Sequence, residues 1–291
     1  MQVVYHCGAH GTDLYRMVKT LMQNRDWLLA NGVESLTPAK HRDVFNEALK
    51  ALDGGPATPE VEQVLLDAIL ETDHPRRLIF STPTFLGKAE RAISVDGLYY
   101  NAAEKLAALA NLFPSADVEI YLALKNPATL LPFVFSQDAT GTYEQVMAAI
   151  PPESLRWAPA IRRIRAALPD QRLVLWCHED TSLIWPEVVR NIATMPSDVP
   201  LRAGLQVLGD IMRPEGIEMI REEMSRETRL TVEKRRAIFA AALARHALPE
   251  QMEIEVNLPG WTQDLVNQIT DLYDEDVAEI AAMPGVEFIM P

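Results

Sequence analysis

Cysteine is nearly missing from this chain, which carries only Cys7 and Cys177 in 291 residues. Both lie inside apolar, strand-like runs, VVYHC and RLVLWC. They read as buried free thiols of a reducing compartment, which rules out a disulfide scaffold. No zinc-type spacing of Cys and His occurs, and no metal site is expected. Basic residues are also scarce, with 27 Lys and Arg against 41 Asp and Glu, for a formal net charge of −14. That balance argues against a broad surface for phosphate backbones, so no nucleic-acid partner is expected. No run of about 18 apolar residues exists to cross a bilayer. The first residues also lack the basic segment and cleavage site of a signal peptide. The expectation is a cytoplasmic protein with no membrane partner. No internal repeat, low-complexity stretch or long linker interrupts the chain. A single α/β domain over residues 1–291 is therefore expected, with 186–291 a helix-rich portion packed on it. A composition of 48% hydrophobic and 23% charged residues suits a sizeable core.

The organising stretch is the first thirty residues: a short apolar strand, a glycine-bearing turn from His6 to Asp13, then a helical pattern. Leu14, Met17, Val18, Leu21, Met22, Leu28 and Leu29 recur at three- and four-residue steps, which predicts one amphipathic helix ended by Asn31-Gly32. A turn between a strand end and a helix N-terminus is where an open parallel sheet binds ligands, because free amides and the helix dipole favour an anion there.

Further along, Thr37-Pro38 and Thr58-Pro59 predict capped helices running to about Leu52 and Glu71. Strands are predicted near 2–7, 77–82, 118–124 and 171–177, separated by helical stretches near 99–112 and 155–168. Such crossovers imply parallel pairing, giving an open, mainly parallel sheet with helices on both faces. After Trp185 helices dominate, at 186–192, 214–224, 232–247 and 262–283. The segment from Pro249 to Pro259 alternates weakly enough to suggest an edge strand.

The turn His6-Cys7-Gly8-Ala9-His10-Gly11-Thr12 resembles the first loop of sulfotransferases that use 3'-phosphoadenosine 5'-phosphosulfate, a P-loop-like family whose pattern is H-x-G-x-H-K-T-G-T before a helix. Leu78 to Gly87 is similar to the family's second strand and loop, and Leu122 to Pro127 to the strand whose Arg-x-Pro element binds the nucleotide 3'-phosphate. Arg162 to Glu187 is similar to a segment of bacterial members. The resemblance implies a phosphosulfate nucleotide, or its bisphosphate product, as the cofactor, held by Gly8, Gly11, Thr12, Asp13 and Lys125. It also implies His10 as catalytic base or donor and a small-molecule or glycan-like ligand as partner.

Several positions depart from that pattern. The lysine that should follow His10 is missing, and Lys19 lies about 10 Å further along the helix than Thr12 at about 1.5 Å per residue. Lys125 stands where the family has arginine, offering a point charge instead of a fork. Leu130 and Phe133 replace a second arginine and a serine, and Pro83 lies where some relatives have a carboxylate. Asp13 reads either as a first-turn acid stabilising the helix or as a carboxylate that repels phosphate. The expectation is a divergent sulfotransferase-like protein with a degenerate loop and little or no sulfuryl transfer, and the alternative is an active transferase using a hydroxyl acceptor. A third reading is a metal-assisted hydrolase built on His178-Glu179-Asp180, whose letters turn and capping roles also explain. His6, Trp157, Trp176 and Trp185 are expected in the core, and Arg162, Arg163 and Arg165 on a solvated helix face.

Overall fold

Residues 3 to 8 are buried without exception, as in a strand covered on both faces. In the computed structural model, which describes residues 1–12, 15–137, 143, 147–252, 256 and 258–291, this segment is the central strand β1 (Gln2–Gly8) of a six-stranded sheet. The others are β2 (Val33–Leu36), β3 (Arg77–Ser81), β6 (Asp117–Leu124), β7 (Arg172–Cys177) and β8 (Val286–Phe288). A small antiparallel hairpin, β4 (Ile93–Ser94) and β5 (Gly97–Leu98), stands apart from them. The order is β2-β3-β1-β6-β7-β8 and every pairing is parallel.

The helices follow as α1 (Arg16–Gln23), α2 (Arg25–Ala30), α3 (Pro38–Leu52), α4 (Pro59–Ile69), α5 (Ala102–Ala110), α6 (Pro127–Phe135), α7 (Trp157–Ala167) and α8 (Thr181–Ala193). The C-terminal helices are α9 (Gln206–Ile211), α10 (Pro214–Arg226), α11 (Val232–His246), α12 (Pro249–Met252) and α13 (Gln263–Ala281).

Strand alternation sorts the core into two layers. Tyr5, Cys7, Phe80, Ile120, Leu122 and Leu175 face one side, packed by α3 to α7 and α13. Val4, Ile79, Tyr121, Ala123, Val174 and Trp176 face the other, under α1, α2 and α8. A third, smaller core of Leu208, Met212, Ile220 and Phe239 joins the C-terminal helices and reaches the sheet layer through Leu183. The chain leaves β1 toward one face and leaves its neighbours β3 and β6 toward the other. That divergence at the carboxyl ends of these three strands is a topological switch point, the place where open α/β sheets generally take their ligands.

Several expectations need correction. The predicted single helix after β1 is two, with Asn24 between α1 and α2. The Asn24 amide donates to the Thr20 and Arg202 carbonyls and accepts from the Arg202 amide, so a distant segment holds the break. Helix α1 starts only at Arg16, after Tyr15 in a left-handed conformation. Asp13 and Leu14 lie outside the described residues. Strands β2 and β8 and helix α6 were not anticipated. The two strands have four and three residues, too short for a period to show. The third contains Pro127 and Pro132, which mask its pattern. The edge strand expected at 249–259 is replaced at its start by the short helix α12, and residues 253–255 and 257 lie outside the described residues.

Candidate functional site at the strand ends

The β1 turn is built around two glycines. A Cβ on Gly8 would lie 2.1 Å from the Thr12 hydroxyl, which instead donates to the Ala9 carbonyl at 2.7 Å. The Thr12 amide bonds the same carbonyl at 3.1 Å, so the turn closes on itself. Gly11 takes φ +78°, a conformation natural to glycine. A Cβ there would meet the Phe133 ring at 2.8 Å and the Lys125 ammonium at 3.1 Å.

Lys125 follows β6 directly and its side chain is buried against this turn. Its ammonium donates to the Gly11 carbonyl at 3.4 Å and lies 5.3 Å from the centre of the Phe133 ring. Burial pushes the ammonium below its usual range, opposed by the Glu179 carboxylate. The Trp157 indole donates to the Lys125 carbonyl at 2.7 Å and fixes the strand end.

His10 is held by Tyr99. Its amide donates to the Tyr99 hydroxyl oxygen at 2.8 Å, and its Nδ1 lies 2.8 Å from the same oxygen. With the ring proton on Nε2 the hydroxyl donates to Nδ1, and with it on Nδ1 the ring donates to the hydroxyl oxygen. Burial holds the ring below the usual imidazole range, opposed by a hydrogen bond to the Gly87 backbone and by Glu90, with Lys105 reinforcing the shift. Tyr99 stacks between His10 and Trp157, at 5.7 and 5.3 Å between ring centres. His6 is buried as expected, with Nδ1 2.7 Å from the Ser81 hydroxyl and its ring stacked on Trp176.

The His178-Glu179-Asp180 turn follows β7 and lies within electrostatic reach of Lys125. Burial pushes His178 down to about 4, helped by Lys125 and Arg16. Glu179 accepts from the Asn126 amide at 2.9 Å and from the Tyr273 hydroxyl at 3.0 Å, so both its oxygens serve the fold. No group of three His, Cys, Asp or Glu among the described residues is placed to hold a metal ion. The metal-assisted reading therefore finds no ligand set there. Arg162 pairs with Glu279, Arg163 donates to the Leu98 carbonyl, and Arg165 donates to the Gln171 and Gly285 carbonyls. This cluster ties elements together and is not a free basic face.

The turn, Lys125 and Phe133 thus meet in one place, with Glu179 and His178 nearby. A cavity at the end of β3 is lined by Thr82 and Thr84 and not by His10, Gly11 or Lys125. Tyr99 and Tyr273, which also shape the strand ends, are not legible as site residues in the sequence, because aromatic residues carry no sign of which loop they will cover; Phe133 shows there only as the residue standing in place of a serine. No protein-family profile and no curated protein matches this chain. Among the described residues no helix is long and apolar enough to cross a membrane.

Proposed function

We propose that this chain is a divergent sulfotransferase-like protein that keeps a strand-end ligand crevice and carries out little or no sulfuryl transfer. The observation that carries the reading is the contact of the Lys125 ammonium with the Gly11 carbonyl beneath Phe133. The chain's own lysine and phenylalanine occupy the inner side of the turn, where phosphate oxygens would need to reach the amides. A phosphate entering there has to displace Phe133 and reopen the turn held by Thr12.

Two further observations support the same reading. The N-terminus of α1, which would supply the dipole for an anion, is set back to Arg16. His10 is engaged on Nδ1 by Tyr99, an arrangement that suits a structural role better than a freely titrating base. The parallel sheet, with its turn at the end of the central strand, is the feature that favours the family resemblance itself. The ligand expected in the crevice is a small molecule or a glycan-like group.

Calorimetric titration of the protein with adenosine 3',5'-bisphosphate tests the proposal. The expected result is no binding tighter than millimolar. A micromolar or tighter dissociation constant overturns it and restores an active transferase, with His10 as the next residue to substitute.

A further inference from the structure

A cavity of about 520 Å³ opens beside the carboxyl end of β3, between α3 and α5, and its size falls in the range of small-molecule sites. Helical spacing builds its walls: His41, Phe45 and Leu49 project at four-residue steps from α3, facing Lys105, Ala108 and Leu109 on α5. Thr82, Thr84 and Phe85 close the end nearest the sheet. The inner wall is aromatic, since the His41 ring lies 5.0 Å from Phe45 and 5.9 Å from Phe85 between ring centres.

The mouth is basic. Arg42, Arg91 and Lys105 all line the cavity, and none of these side chains forms an ion pair or hydrogen bond among the described residues. Asp53 and Glu104 also line it, but no ion pair joins them to the three cations. Burial lowers Lys105, with Arg91 and Lys88 adding like-charge repulsion and Glu104 opposing it. In a chain of net charge −14, three cations that line one cavity without a direct ion pair, with Glu104 acting on Lys105 only through space, leave room for an anion from outside. His41 adds a second sign of an incomplete site. It is 1% exposed, and neither ring nitrogen has a hydrogen-bond partner among the described residues. Buried polar groups normally find partners, and a ligand can supply one.

We propose that this cavity binds a small organic anion, with a ring-sized apolar body against Phe45, Phe85 and Leu49 and one carboxylate or phosphate group at Arg91 and Lys105. The site shares no residue with the β1 turn, so it stands whether or not the phosphosulfate nucleotide binds there.

Calorimetry on the full chain with three probes, 2-naphthoate, 2-naphthyl phosphate and the neutral 2-naphthalenemethanol, tests this. Both anions are expected to bind with sub-millimolar dissociation constants, and the alcohol about tenfold more weakly or less. The double substitution Arg91→Gln/Lys105→Gln should weaken the anions about tenfold and leave the alcohol unchanged. Ala108→Trp, which fills the cavity from α5, should abolish binding of all three. Thermal melts establish that each variant folds, and if Ala108→Trp does not, the double substitution still decides. Equal binding of acid and alcohol, anion affinity unmoved by the double substitution, or no anion binding at millimolar concentration each overturns the proposal.

Discussion

Arg77 and Glu119 meet in a two-point ion pair, 2.7 and 2.8 Å, reaching across the intervening strand β1 at the amino-terminal end of the sheet. Both are buried, on β3 and β6, the two strands that flank β1. Arg77 also donates to the Ile192 carbonyl and the Gln2 side chain, and Glu119 accepts from Arg172 and Tyr121. Arg172 reaches on to Glu287 of β8. One polar ladder therefore links strands from β3 to β8. Removing one partner leaves a buried charge uncompensated, so Glu119→Leu should cost about 3 to 5 kcal/mol of unfolding free energy, read from urea denaturation midpoints. Arg77→Met/Glu119→Leu should be closer to wild type than the single substitution. A double variant as unstable as the sum of the two singles would contradict the pairing.

Acid should destabilise the protein through His41. Burial, aided by Arg42, pushes its ring down to about 4, whereas an unfolded histidine titrates near 6.5. Between those values the unfolded state binds more protons than the native state, so stability falls as pH falls through this window. The shift corresponds to about 3 kcal/mol at the bottom of the window. His178, also pushed to about 4, acts in the same direction. His41→Phe should flatten the pH dependence of the melting temperature between pH 6.5 and 4, and an unchanged slope would show that His41 does not carry it.

The turn can be tested by a pair of substitutions. Gly8→Ala places its methyl on the Thr12 hydroxyl and forces that hydroxyl off the Ala9 carbonyl, which should cost about 1 to 2 kcal/mol. In a Thr12→Ala background the same change should cost much less, because the colliding atom is gone. Additive costs in chemical denaturation would mean that Gly8 and Thr12 do not interact.

Tyr99→Phe removes the one hydroxyl that serves both the amide and Nδ1 of His10. The expected loss is about 1 to 3 kcal/mol, because two buried polar groups lose their partner. The His10 imidazole resonances should also change in their NMR titration, and an unmoved titration would place His10 outside the influence of Tyr99.

Lys125→Met should raise the pKa of His178, since the ammonium is one of the charges that depress it. NMR titration of His178 in the variant checks the direction, and no upward shift would separate the two residues.

The sequence alone determined the four long buried strands and the positions of most helices, because their signals are local. Residues 77–81 and 118–124 are apolar runs bounded by proline or by a turn. Thr58-Pro59 opens a helix wherever it stands, and the Thr58 hydroxyl accepts from the Val61 amide as a cap should. The glycine turn after β1 was legible for the same reason, since Gly8 answers to Thr12 four residues on and Gly11 to the positive φ of its own backbone. What the turn holds was not legible. That Phe133 lies over Gly11 and that Lys125 points at the Gly11 carbonyl depends on how α6 docks beside β6, more than a hundred residues from the turn. The break at Asn24 is held by Arg202, and strand β8 forms only where the edge of β7, more than a hundred residues earlier, is there to pair with it. The basic cavity was equally hidden, because Arg42, Arg91 and Lys105 are scattered in the chain and are gathered only by the packing of α3 and α5 on the sheet. Local propensity reads neighbours a few residues apart, whereas a site is made by side chains from distant elements whose meeting is decided by the burial of the whole core.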